Sequence, residues 1–315
     1  MKNMNKAILA IGAGFIALTS FTINNVAIGV KPSAKVLSDT ITDIIAPGTE
    51  LKLISDKFGF AEGPATDKKG NIFFTDMPND KIYKYDLDGN LTVWLEPAGR
   101  PNGMYMDKKG NLIVCSEDKN ELLSISPDKK VTVLLKDFNG HLFNAPNDVY
   151  VHKNGSMYFT DPLYARNFWT RKKTSDLDGD KVYYLPKGAK QAIPVVSDMR
   201  KPNGVVGTPD GKYLYVGDYG GKTYKYKIEK DGSLSEKTLF ADQPSDGMTL
   251  DNKGNVYLTG RGVAVYSPSG KLLSRITVPP PSTTNVCFGG KNKDVLFITT
   301  SKALYTLQTK VKGIE

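Results

Sequence analysis

One stretch of this chain keeps returning. AEGPATDKKGNIFFTD begins at Ala61, RPNGMYMDKKGNLIVCSE at Arg100, APNDVYVHKNGSMYFTDP at Ala145, KPNGVVGTPDGKYLYVGD at Lys201 and PSDGMTLDNKGNVYLTG at Pro244. A looser sixth copy, TTNVCFGGKNKDVLFITT, begins at Thr283. With Gly63, Gly103, Asp148, Gly204, Gly247 and Val286 taken as equivalent, the copies are spaced by 40, 45, 56, 43 and 39 residues. A period near 40 residues confines the chain to a small set of repeat architectures.

The local chemistry of each copy narrows that set. A polar loop enters a short β run, a glycine-centred turn (KKGN, KNGS, PDGK, NKGN) reverses it, and a second run rich in aromatic and β-branched residues follows. A further strand-turn-strand pattern comes next, as in KIYKYDLDGNLTVWL and GVAVYSPSGKLLSRI. Four short strands per repeat, six times over, predict an all-β, six-bladed β-propeller with four-stranded blades. ELKLIS, at Glu50–Ser55, is expected to supply the last strand of the sixth blade and so close the ring without a free edge. The longest interval contains LYARNFWTRKKTSDLDGD, and Tyr164 to Asp180 is expected to be a loop inserted over one face.

The N-terminus reads differently. MKNMNK carries two lysines, an apolar run AILAIGAGFIALTSF follows, and no acid occurs before Asp39. That is the layout of a signal peptide. The expected organisation is a signal segment over residues 1–29, a linker over 30–48 and the propeller over 49–315, in an exported protein, periplasmic or secreted. An uncleaved N-terminal anchor is the alternative; after processing no stable membrane span is expected. The formal charge of +9 falls to +7 without Lys2 and Lys6. Lysines scattered at turns, with no recognition motif, do not indicate a nucleic-acid partner. Cys115 and Cys287 are the only cysteines, too few for a disulfide framework. In the expected ring they fall in blades that do not adjoin, so both should be free thiols.

In a propeller the loops entering the innermost strands converge at one mouth of the central channel. Here those loops carry Glu62, Asn102, Asn147, Asn203, Asp246 and Asn285. Two carboxylates with several amide oxygens, and no His or Cys, form a set suited to a hard cation such as Ca²⁺. The competing reading is plain turn chemistry, since Asn-Gly, Asn-Asp and Asp-Gly are common turn dipeptides. Glu62 is the residue that a turn would not require.

At these residues the sequence resembles the senescence-marker-protein/gluconolactonase/luciferin-regenerating-enzyme superfamily, most closely its bacterial gluconolactonase branch. The likeness runs from about Phe58 to the C-terminus and includes GRGVAVYSPSGKLLSRITVPPPSTTNVCFGG. It implies one divalent cation, usually Ca²⁺, held by Glu62, Asn147, Asn203 and Asp246, with Asp246 also the catalytic acid/base. Mg²⁺, Mn²⁺ or Zn²⁺ are alternatives. Some sugar-lactonase members carry an Arg two residues before the mid-chain Asn, where this chain has Ala145, so their sugar contacts do not transfer directly. The implied activity is hydrolysis of a small-molecule lactone or ester, a sugar lactone such as gluconolactone being the leading substrate. The alternatives are aryl-ester or organophosphate hydrolysis, with Phe143, Phe168 and Trp169 as an apolar wall, and non-enzymatic binding of a partner. Asn102, Asn285, Tyr164 and His141 are the candidate substrate contacts, and Asp148 is a candidate for orienting Asn147.

Overall fold

The computed structural model of the protein describes residues 43–280 and 282–314. The expected signal segment at residues 1–29 lies outside the described residues. Among those described, no helix is long and apolar enough to cross a membrane.

Six antiparallel four-stranded sheets make up the described chain. Their inner strands are Ala61–Thr66, Pro101–Met106, Val149–Val151, Pro202–Gly207, Met248–Leu250 and Thr283–Gly289. Each packs beside the next, and the last returns to the first, so the six surround a closed channel. The expected propeller is what the chain builds. Closure also follows the expected route: Lys52–Ser55 pairs with Leu304–Gln308 as the outer strand of blade 6. A blade contributed from both ends of the described chain leaves no unpaired inner edge for another molecule to extend.

The second strand of each blade is apolar on both faces because each face packs on a different neighbour. Ile72 and Phe74 point into a cluster shared with blade 6, with Cys287, Phe297 and Leu304. Phe73 points the other way, to Met104, Leu112 and Val114 of blade 2. Ile113 and Cys115 pack on Phe143, Phe159 and Tyr183 of blade 3. The period-2 alternation of a second strand therefore sends side chains to two cores, and these strands do not read as half polar. Six such clusters sit between adjacent blades. Cys115 and Cys287 belong to different ones, are both buried and are not joined to each other by a disulfide. The packed chain extends to the N-terminal side of the expected boundary at residue 49. Ile44 and Ile45, each 2% exposed, pack with Val311 and the blade 5–blade 6 core, and Lys310 donates its amide to Ile44 O at 2.7 Å.

The inserted segment between Met157–Asp161 and Lys181–Leu185 contains no strand, as expected from the long third interval.

Candidate functional site

The Asp that ends the second strand in blades 1, 3 and 4 has a physical role. Asp76 accepts the backbone N–H groups of Gly59 (3.0 Å) and Phe60 (3.1 Å), the residues leading into Glu62. Asp161 does the same for Asn144 (3.0 Å) and Ala145 (2.9 Å), leading into Asn147. Asp218 holds Arg200 (3.1 Å) and Lys201 (2.8 Å), leading into Asn203. Two backbone donors on one carboxyl group make a directional tie, so three incoming loops are fixed at the point where they deliver a polar side chain. The threonine one residue earlier reaches the next blade: Thr75 Oγ1 donates to Asn102 O (3.2 Å) and Thr160 Oγ1 to Asn203 O (2.7 Å).

The glycine after the polar residue is explained by the same crowding. Gly103 and Gly204 lie within inner strands, not in turns. A Cβ at Gly103 would stand 2.5 Å from Asn147 O, and one at Gly204 would stand 2.4 Å from Asp246 O. Neighbouring blades approach at the channel more closely than a side chain permits. The Asn-Gly pairs therefore answer to the ring and not to a turn.

Five of the six mouth residues are almost wholly buried: Glu62, Asn102, Asn147, Asn203 and Asn285. Asp246 is less enclosed. Asn203 Nδ2 donates to Asp246 Oδ1 at 2.9 Å and approaches the Tyr164 hydroxyl at 3.4 Å. Asn285 Nδ2 donates to Glu62 Oε2 (3.0 Å), while its Oδ1 accepts the amide of Val286 (2.8 Å). Asn285, a candidate substrate contact, thus also positions Glu62. Asp148 accepts the amides of Val149 (2.9 Å) and Val205 (3.0 Å), joining blade 3 to blade 4. His141 is exposed and exchanges backbone hydrogen bonds with Phe138 at 2.8 and 3.1 Å. Its contacts are with that hairpin, not with the residues at the mouth.

Two residues at the mouth escaped the sequence reading. Arg166, from the inserted loop, pairs with Glu117 through Nε (2.8 Å) and Nη2 (2.7 Å). Glu117 also accepts from Asn102 Nδ2 at 2.8 Å. The loop is held on both flanks: Phe168 lies under the Arg100 guanidinium, 4.4 Å from its carbon to the ring centre, and Lys201 donates to Leu163 O and Asp180 at 2.8 Å each. A signal for Glu117 existed in the repeat. Inner-strand pairing aligns Asp76 and Asp218 with Ser116, so blade 2 lacks the loop-clamping acid and places Glu117 one position further on.

Burial raises both mouth carboxyls. Glu62 is pushed up to about 6, chiefly by burial and against the hydrogen bond from Asn285. Asp246 is held well above the usual carboxylate range, first by burial and then by the negative charge of Glu62. For Arg166, burial opposes the charged form, but the Glu117 contacts outweigh it and the guanidinium stays charged.

The donor set fits a hard divalent cation. Among the described residues, Glu62 Oε1, Asp246 Oδ2, Asn203 Oδ1 and the buried side chain of Asn147 have no hydrogen-bond partner. Oxygens that protein donors leave free keep their lone pairs available to a ligand. No group of three or more His, Cys, Asp and Glu side chains converges among the described residues, so amide oxygens must complete any such site. That composition favours Ca²⁺ over metals that seek nitrogen or sulfur.

Residues 60–302 match the SMP-30/Gluconolactonase/LRE-like region. The gluconolactonase of Zymomonas mobilis is 27% identical over 306 residues, covering 87% of this chain and 85% of its own. Among solved structures, a gluconolactonase from Xanthomonas campestris superposes with a TM-score of 0.80 at 24% identity, covering 89% of this chain and 96% of its own. Regucalcin from Agrobacterium tumefaciens, a calcium-binding protein, gives 0.70 at 18% identity over 84% and 95%. With the matched region spanning most of the chain and all six blades, this protein belongs to the SMP-30/gluconolactonase/LRE-like family.

Proposed function

We propose that the chain is a Ca²⁺-dependent lactonase that opens sugar lactones such as gluconolactone. The observation that carries this reading is the presence at the mouth of two carboxyls held by amides, Glu62 by Asn285 and Asp246 by Asn203, together with the unengaged oxygens of Asn147 and Asn203. The activity named for the Zymomonas relative and the calcium binding named for regucalcin support it.

Glu62, Asn147, Asn203 and Asp246 would hold the cation. Bound there, it supplies Lewis acidity toward the lactone carbonyl and the negative charge that develops on it. The Asp246 carboxyl takes a proton from the attacking water as the oxygen–carbonyl bond forms. The same proton goes to the ring oxygen as the carbon–oxygen bond breaks, giving the open hydroxy acid. Asn203 holds Oδ1 of Asp246 and so orients the carboxyl. Arg166, clamped by Glu117, and the Tyr164 hydroxyl supply donors for substrate oxygens at the rim.

Aryl-ester hydrolysis fits less well. Phe143 is part of a blade core, Trp169 is buried against Arg171 and Phe168 is covered by Arg100, so none of the three offers a free apolar wall.

The test is hydrolysis of glucono-δ-lactone above its spontaneous rate. Chelation should abolish it, and Ca²⁺ should restore it better than Mg²⁺, Mn²⁺ or Zn²⁺. Asp246→Asn should lower kcat by about 10²- to 10⁴-fold while calorimetry still registers Ca²⁺. Unchanged turnover in that variant would remove Asp246 from the mechanism, and failure of every aldonolactone, with aryl esters turned over, would favour the other hydrolase reading.

A further inference from the structure

The far end of the channel differs in kind from the carboxylate mouth. A cavity of about 730 Å³ opens there, within the size range of small-molecule sites. It adjoins a narrow space of about 50 Å³ inside the channel, with Thr66, Tyr105 and Met106 lining both. A space that small admits water but not a substrate-sized molecule, so the two ends are separate compartments.

The rim of this cavity is made by the turns after the inner strands. Lys68, Lys108 and Lys153 occupy the same turn position in blades 1, 2 and 3, whereas blades 4 and 5 have Pro209 and Asn252 there. Lys109 and Lys187 line the cavity as well. The turn aspartates do not neutralise them. Asp67 Oδ1 accepts the amides of Lys69, Gly70 and Asn71 at 2.9 Å each, and its Oδ2 accepts Asn71 Nδ2 at 2.7 Å. Asp107 is folded back on its own turn in the same way, with three contacts at 2.8 Å. Among the described residues none of these five lysines forms an ion pair. The six lysines and two aspartates of the lining leave four positive charges in excess. Lys108 and Lys153 are also tethered, donating to Lys153 O and Asp210 O. Below the rim the wall is apolar, with Met106, Val151 and Met157 in a partly buried layer.

We propose that this cavity binds an anionic amphiphile, a single-chain molecule whose apolar body lies on the Met106–Met157 wall and whose phosphate or carboxylate head meets Lys68, Lys108 and Lys153. A cationic rim over an apolar wall matches both halves of such a ligand. A polyanion would leave the wall unused, and a neutral apolar compound would leave the lysine charges unanswered. The site stands on geometry remote from the mouth carboxylates and does not depend on the lactonase reading.

Titration calorimetry on the full chain, with monododecyl phosphate below its micelle concentration, tests the proposal. Saturable binding of one molecule per chain is expected, weakening as salt rises, with dodecanol and inorganic phosphate each weaker by about tenfold or more. Lys108→Glu/Lys153→Glu should weaken monododecyl phosphate by at least about tenfold and leave aldonolactone turnover as it was. Lys68→Gln/Lys187→Gln provides the same reading should the first pair fail to fold. Undiminished binding in a folded variant overturns the proposal. So does inorganic phosphate or dodecanol binding as tightly as the amphiphile, or binding to phosphatidylglycerol vesicles with none to the monomer.

Discussion

Burial raises the mouth carboxyls Glu62 and Asp246, with the charge of Glu62 adding to it at Asp246, and this governs how the site should respond to pH. The folded pKa of Glu62 is raised from 4.5 to about 6, so below that value the metal-free protein keeps the proton. A raised acid makes its full contribution to stability below the unfolded value and loses it as pH climbs through the folded one. Metal-free protein should therefore lose about 2 kcal/mol between pH 4.5 and 6.5 from this carboxyl alone. Ca²⁺ affinity should move the opposite way, strong above pH 6 and falling as protons compete below it. Scanning calorimetry with and without chelator across that range checks both; a flat response would mean that Glu62 is not a ligand. Arg166 and Glu117 make a second residue-scale case. Glu117 is 1% exposed on its side chain, so Arg166→Ala strands a buried charge and should cost about 3–5 kcal/mol. Adding Glu117→Gln should recover most of that stability in urea unfolding. Activity should stay low in the double variant if the guanidinium also meets substrate, and should return with stability if its role is only structural.

At the scale of the strand and its incoming loop, the Asp that ends a second strand and the loop that it clamps form one unit. Asp161→Ala removes acceptors for two buried amides and should cost about 2–4 kcal/mol by urea unfolding. It should also weaken Ca²⁺ binding, because Asn147 follows directly on the released loop. Normal affinity would show that Asn147 is placed by the strand alone. The same unit shows what was legible beforehand. Turns such as Asp67–Asn71 carry their whole explanation within five residues, since the Asp side chain satisfies the amides it precedes. Such local chemistry repeats visibly, and it marked out every blade. The clamping Asp stands at the end of second strands in the sequence, but its partner loop lies 16 or 17 residues earlier, so its purpose is not legible there. Arg166 and Glu117 are 49 residues apart, and one sits in a segment that no other blade possesses. Repetition cannot point to a residue without counterparts. Asn285 shows the same limit: sequence register brought it to the mouth but could not say that its amide also holds Glu62 and the Val286 N–H.

At the scale of the whole molecule, six blades bury their second strands only if the ring is complete, and completion rests on residues before the first inner strand. Lys52–Ser55 covers the edge of Leu304–Gln308, and Ile44 and Ile45 seal the core between blades 5 and 6. Neither blade 6 nor its contact with blade 1 has another source for this strand. A chain beginning after residue 56 should therefore lose more than two buried isoleucines. Those two alone account for about 3–6 kcal/mol, and the uncovered edge of Leu304–Gln308 becomes a pairing surface for a second molecule. The expected result is a Tm lower by on the order of 10 °C together with concentration-dependent association in sedimentation. Lactone turnover should fall with it, because Thr284 Oγ1, bonded to Ala61 O at 2.7 Å across the same closure, adjoins both Glu62 and Asn285. If the shortened chain stays monomeric with an unchanged Tm, the ring is held by its inner strands alone, and the position of Glu62 does not depend on how the circle is closed.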